Sequence, residues 1–171
     1  KFMNAAGMYR FAVVLCTLLC CLNPAAAQPP LSVAGLDSVD RATLAATLDG
    51  NVLQLEPYLA PDFQAHIQVP TDQGPQTLVF NREEFLLYAW QARSAADGYR
   101  VRSQQPARYV IAADGHSATG TRILDESLNW NGQALRYTTQ RTTHYRPLGG
   151  RILVTRLDVR VVDWDPPGTA K

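Results

Sequence analysis

Apolar residues recur at helical spacing near position 40, and they alternate with polar residues through the second half of the chain. The first pattern predicts a helix with Ser38 as its N-cap and Gly50 as a left-handed stop. A second short helix is expected over about residues 51–59, where Pro57 weakens the pattern by removing a backbone donor. The apolar face of the first helix is formed by Val39, Leu44, Ala45 and Leu48.

A third helix is predicted between two short strands and the strand-rich half. Asn81 precedes it, and Glu84 stands at the position that completes a capping box. The helix should run to about Arg93 and carry its apolar stripe on Phe85, Leu86, Ala89 and Trp90. Before it, Phe63–Val69 reads as a strand and Thr77–Phe80 as another short one.

The second half reads as four antiparallel strands at 100–112, 116–129, 133–146 and 151–163. Asp114-Gly115 and Asn131-Gly132 are strong two-residue hairpin signals, whereas the third turn reads as a four-residue loop over 147–150. Helices followed by a meander of strands predict an α+β domain with the helices packed on one face of a curved four-stranded sheet.

The first 27 residues have the features of a cleavable signal peptide. Arg10 precedes the apolar run Phe11–Leu22, and Ala25-Ala26-Ala27 before Gln28 is a small-residue cleavage site. Met8 gives this segment a more compact start than Met3. The sequence therefore predicts export to the periplasm or the cell exterior. The rest of the chain divides into a flexible leader over 28–35, one domain over 36–164 and a tail over 165–171.

Composition narrows the choice of partners and chemistry. Of 171 residues, 46% are hydrophobic and 18% charged, which is typical of one folded domain. The three cysteines (Cys16, Cys20 and Cys21) all lie in the signal segment, so no thiol chemistry is expected after cleavage. The mature chain keeps 14 basic and 15 acidic residues, which favours neither nucleic acid nor a membrane as partner. No motif for a metal or a cofactor is present.

The chain resembles the nuclear transport factor two and ketosteroid isomerase superfamily, which includes SnoaL-like proteins, over about residues 36–163. Four stretches carry the resemblance: 59–63, 81–86, 131–137 and 150–156. The resemblance implies a cone-shaped fold. It does not imply one activity, because the superfamily includes isomerases, dehydratases, cyclases, hydrolases and non-enzymatic binding or assembly domains.

The predicted turns fix which strand residues share a face. They place Glu126 opposite Tyr137, Tyr109 opposite Gly120, and Arg141 opposite Arg156. By analogy with family members, where the position of Ile152 faces the helices, this polar face is concave. Its charged and aromatic members would then bind a small, anionic ligand: Tyr109, Glu126, Arg141, Arg156 and Asp158. The alternative is that the same face is solvated and holds ordinary surface ion pairs.

An enzymatic alternative uses His66 and Tyr137. His66 lies near the strand position at which the resembling isomerases carry a general base, and Tyr137 would act as the electrophile. Trp90 is assigned to the pocket mouth or to the core. A third hypothesis is a structural domain of the cell envelope. The opposite, threonine-rich sheet face is expected to be convex and to form a homodimer through Ile123, Leu153, Leu157 and Val159.

Overall fold

A computed structural model describes residues 31–71, 73–130 and 132–165 of the chain. The predicted signal peptide, the turn residue Asn131 and most of the predicted tail lie outside these residues. Leu31 is buried and the first helix begins at Val33, so residues 31–35 belong to the domain and not to the predicted leader. No helix in the described part is long and apolar enough to cross a membrane.

Within the described ranges, two α-helices and one 3-10 helix cover one side of the sheet. Helix α1 spans Val33–Leu48, and Ser32 rather than Ser38 caps it by accepting from the Gly35 amide. The 3-10 helix spans Val52–Tyr58 and contains Pro57. Helix α2 spans Arg82–Ala95 and has the predicted capping box, in which Asn81 and Glu84 each accept the other's backbone amide.

Seven strands of the described chain form one mixed sheet. They are β1 Leu59–Val69, β2 Gln76–Asn81, β3 Ala96–Ser103, β4 Arg108–Ile111, β5 Ala118–Trp130, β6 Gln133–Leu148 and β7 Arg151–Asp165. Their order is β2-β1-β7-β6-β5-β3, and β4 also pairs with β5. Among these strands, only β1 and β7 pair in parallel.

The predicted four-stranded meander is wrong in two respects. The expected strand 100–112 is two strands, β3 and β4, separated by a segment that contains Pro106, which cannot donate to a sheet. Strands β1 and β2 extend the sheet beyond β7. The register of β5 against β6 is confirmed, with Glu126 opposite Tyr137 and Leu124 opposite Thr139, as is Tyr109 opposite Gly120.

The predicted register of β7 is wrong. The turn between β6 and β7 is Gly149-Gly150 alone, both at positive φ, and Leu148 pairs with Arg151. An irregularity between His144 and Tyr145 then shifts the pairing by one residue, so that Arg141 lies opposite Val159 instead of Arg156. A shift of one residue turns a strand's side chains to the other face.

The inner face of the sheet is filled at one end and open at the other. At the filled end, Tyr145 and Val154 join helix residues Leu36 and Val39 in the main core. Toward the open end, three pairs of opposite residues on β5 and β6 follow one another. They are Arg122 with Arg141, Leu124 with Thr139, and Glu126 with Tyr137. The fold therefore places its charged rows between a packed core and an open end.

Candidate functional site

A cavity of about 610 Å³ lies between the helices and the inner face of the sheet. Most of its walls are apolar, from residues such as Leu44, Leu55, Phe85, Leu128 and Val159. Its polar wall is concentrated on β5 and β6, joined by Asp40 from α1 and Tyr99 from β3. A concave, mostly apolar space with a few convergent polar groups is typical of a small-molecule site.

Glu126 is the most deeply buried charged group of this wall, with a side chain 3% exposed. Its carboxylate accepts hydrogen bonds from the hydroxyls of Tyr99 and Thr139. The guanidinium of Arg141 donates to it over 2.9 Å and also contacts the Tyr99 oxygen at 3.2 Å. Since a buried carboxylate needs both a counterion and donors, this arrangement makes its burial tolerable.

Asp40 is the centre of a second cluster built in the same way. Tyr109 and Tyr145 donate their hydroxyls to its two oxygens over 2.9 and 2.8 Å. Arg122 pairs with it at 2.9 Å. Helix α1 is thereby tied to β4, β5 and β6. Gly120 makes room for the cluster, because a Cβ at that position would lie 2.9 Å from the Tyr109 ring.

Arg122 and Arg141 are direct cross-strand partners on the cavity face. Their guanidinium ends diverge, since Arg122 reaches Asp40 and Arg141 reaches Glu126. The Nε group of each is buried and has no hydrogen-bond partner within the described residues. The same holds for Arg82, Arg93 and Arg146, and an atom without accessible surface cannot bond a ligand in the cavity. An acceptor there would bind the exposed part of the Arg122 and Arg141 side chains, which are 14% and 22% exposed.

The pKa values of the polar wall follow from burial and charge. Burial alone would lower the pKa of Arg141, but the adjacent Glu126 raises it above its ordinary value. Burial raises the pKa of Tyr99, Tyr137 and Tyr145, and the nearby carboxylates raise it further. These tyrosines therefore keep their protons at neutral pH and act as neutral hydrogen-bond donors.

The structure brings together two of the residues expected to bind a ligand and the tyrosine expected to act as electrophile. Glu126, Tyr137 and Arg141 line the cavity. Tyr109 does not line the cavity but donates a hydrogen bond to Asp40, which does. Arg156 and Asp158 do not line it: the shifted register of β7 turns them to the outer face, while Leu157 and Val159 point inward. Their predicted place in the cone is wrong.

His66 also lies outside the cavity. Its Nδ1 is 3.8 Å from Asp158, which in turn contacts His144 at 3.1 Å and accepts hydrogen bonds from Arg156. His66 and Tyr137 therefore lie on opposite faces of the sheet, which contradicts their joint action on one ligand. Among the described residues, no group of three or more candidate ligands is placed to hold a metal ion.

Trp90 is neither in the core nor at the cavity, as its side chain is 56% exposed on the outer side of α2. Tyr88, on the same helix, lines the cavity and stacks on Phe80 at 4.7 Å. The tryptophans of the open end are Trp130 and Trp164, 39% and 41% exposed. Sequence reasoning missed both, and it missed Asp40, Tyr99 and Tyr145.

Solved structures with similar folds share little sequence with this chain. Hexachlorocyclohexane dehydrochlorinase LinA-type3 from Novosphingobium barchaimii LL02 has a TM-score of 0.65 at 12% identity, covering 81% of this chain and 90% of its own. An NTF2-like protein of unknown function in nutrient uptake from Rhodospirillum rubrum has a TM-score of 0.60 at 18% identity, with coverages of 74% and 98%. An NTF2-like protein from Cytophaga hutchinsonii has a TM-score of 0.59 at 13% identity, with coverages of 77% and 100%.

These similarities show that the chain has the NTF2-like fold, and they confirm the predicted resemblance at the level of fold. No protein-family model and no curated protein matches the chain. The similar structures include a dehydrochlorinase and a protein of unknown function, so the fold does not choose between binding and catalysis.

Proposed function

We propose that this protein is an exported binding protein that holds a small, largely apolar anion in its cone without transforming it. The observation that carries the proposal is the pair of neighbouring arginines on the cavity wall, whose side chains are 14% and 22% exposed. A carboxylate placed there would accept charge-assisted hydrogen bonds from both.

The two carboxylates of the wall support binding rather than proton transfer. Asp40 and Glu126 each accept from two hydroxyls and one arginine, so their oxygens are already occupied. Their role is to neutralise and orient the arginines. Two guanidinium groups side by side would otherwise repel each other in a space of low polarity.

The apolar walls define the rest of the ligand. Removing apolar surface from water contributes about 25 cal/mol per Å², so a ligand that fills the cavity gains most of its affinity from its hydrocarbon part. Tyr137 adds a further donor. Burial raises the pKa of its hydroxyl, which therefore stays protonated, and this hydroxyl makes no hydrogen bond with the described residues. The site thus favours an apolar body that carries one oxygen-rich group.

The test compares octanoate with octan-1-ol by titration calorimetry. Octanoate should bind more tightly, and the paired variant Arg141→Met/Glu126→Gln, which leaves no buried charge unpaired, should weaken its binding more than tenfold. That factor corresponds to the roughly 1.5–3 kcal/mol of one charge-assisted hydrogen bond. Arg156→Met is the matched control, since it removes an arginine from the outer face and should change nothing. Equal affinities of wild type and the paired variant, with both folded by circular dichroism, would refute the proposal.

A further inference from the structure

The long axis of the cavity can be read from helix α1 and, independently, from strand β5. On α1, Asp40 reaches the tyrosines of the packed end, whereas Gly50, beyond the helix end, lies beside Arg93. On the sheet, Ala96 pairs with Trp130 at the opposite end of β5. Both elements therefore place Asp40 at the packed end of the cavity and Trp130 at the open end.

The length of this path follows from strand geometry. Arg122 and Leu128 both face the cavity on β5, and six residues of extended chain span about 20 Å. A cavity of about 610 Å³ along such a path is narrow and elongated. Between the two ends lie apolar side chains from Leu124, Leu135 and Val161, interrupted by Glu126, whose oxygens are already bonded.

The open end of the cavity is lined by partly exposed tryptophans, whereas the packed end is lined by two mostly buried arginines. Trp130 and Trp164 line the cavity and are 39% and 41% exposed, whereas the side chains of Arg122 and Arg141 are only 14% and 22% exposed. An anion held at the arginines is thus screened from water, and an apolar chain that leads away from it reaches the two indoles. Tryptophan suits this border, because its ring is large and apolar and carries one polar N–H group.

We propose that the ligand is an elongated amphipathic monocarboxylate that enters head first, with its carboxylate at the Arg122–Arg141 row and its apolar end between Trp130 and Trp164. This inference rests on the proposed function and adds the class and the orientation of the ligand. It follows that each added methylene group removes more apolar surface from water until the chain has passed the two indoles.

Two measurements on the full domain test the inference. The first is the affinity for straight-chain carboxylates of increasing length, which should rise about threefold to fourfold per methylene group and then level off. The second uses bromine as a contact quencher of fluorescence in the Trp90→Phe variant, where Trp130 and Trp164 are the remaining tryptophans. The acid must be long enough to reach the indoles from the arginine row, so 16-bromohexadecanoic acid should quench most of the emission, and the matched 2-bromohexadecanoic acid should quench little.

The outcomes separate this inference from the proposed function. Tight binding of octanoate with no dependence on length, or stronger quenching by the 2-bromo acid than by the 16-bromo acid, would overturn the orientation and leave the anion site standing. Binding without quenching by either acid would place the ligand elsewhere and would also overturn the inference. Failure of every carboxylate to bind would refute the proposed function itself.

Discussion

Removing Arg141 should destabilise the protein far more than removing it together with its partner. Arg141→Met leaves the carboxylate of Glu126, whose side chain is 3% exposed, without a counterion. An uncompensated buried charge of this kind costs about 3–5 kcal/mol. For a domain of this size, that loss lowers the melting temperature by roughly 10–20 °C.

In the paired variant Arg141→Met/Glu126→Gln the charge is gone, while the glutamine oxygen can still accept from one of the hydroxyls of Tyr99 and Thr139 and the amide NH2 can donate to the other. Its free energy of unfolding should therefore lie within about 2 kcal/mol of the wild type. Urea unfolding followed by circular dichroism measures all three proteins, and Arg156→Met on the outer face should change stability by less than about 1 kcal/mol. A single variant that loses under 1 kcal/mol, or a paired variant no more stable than the single one, would refute this account of the buried pair.

The remaining predictions concern pH, capping, processing and assembly. The pKa values of Tyr99, Tyr109, Tyr137 and Tyr145 are raised by burial, so they stabilise the folded state fully below the ordinary tyrosine value of about 10 and lose that contribution as pH rises toward their folded values. Absorbance at 295 nm should show them ionising together with unfolding, and independent early ionisation would contradict this. Asn81→Ala should cost about 1 kcal/mol in urea unfolding, because it removes the cap of α2, whereas Gln91→Ala in the same helix should cost nothing measurable. Mass spectrometry of the purified mature protein should give an N-terminus at Gln28, and an intact N-terminus would refute the proposed export. Leu157 and Val159, which were expected on the dimer face, line the cavity instead, so a homodimer through the outer sheet face would have to use other residues. Light scattering tests this predicted homodimer, and a monomeric mass at high micromolar concentration would exclude it.

The parts of the fold that could be predicted from the sequence depend on residues that are close together along the chain. The capping box at Asn81 and Glu84 lies within one helical turn, and the register of β5 on β6 follows from a tight turn. The composition of the polar wall on these two strands is predictable for the same reason. The turn alone is therefore enough to assign Glu126, Tyr137 and Arg141 to one face of the sheet.

The features that sequence missed depend on distant contacts or on irregular backbone. The tyrosines that bind Asp40 lie 69 and 105 residues further along the chain, so no local pattern marks that aspartate. One irregularity between His144 and Tyr145 reverses the face of β7, which moves Asp158 out of the predicted site and Val159 into it. Helical spacing alone also leaves open which side of α2 faces water, where Trp90 lies.

The most direct test of the central claim is a crystal structure of the protein saturated with octanoate. The carboxylate should lie within hydrogen-bonding distance of the guanidinium groups of Arg122 and Arg141, with the chain directed toward Trp130. A carboxylate bound on the outer face beside His66 and Arg156, or an unoccupied cone at saturating octanoate, would contradict it.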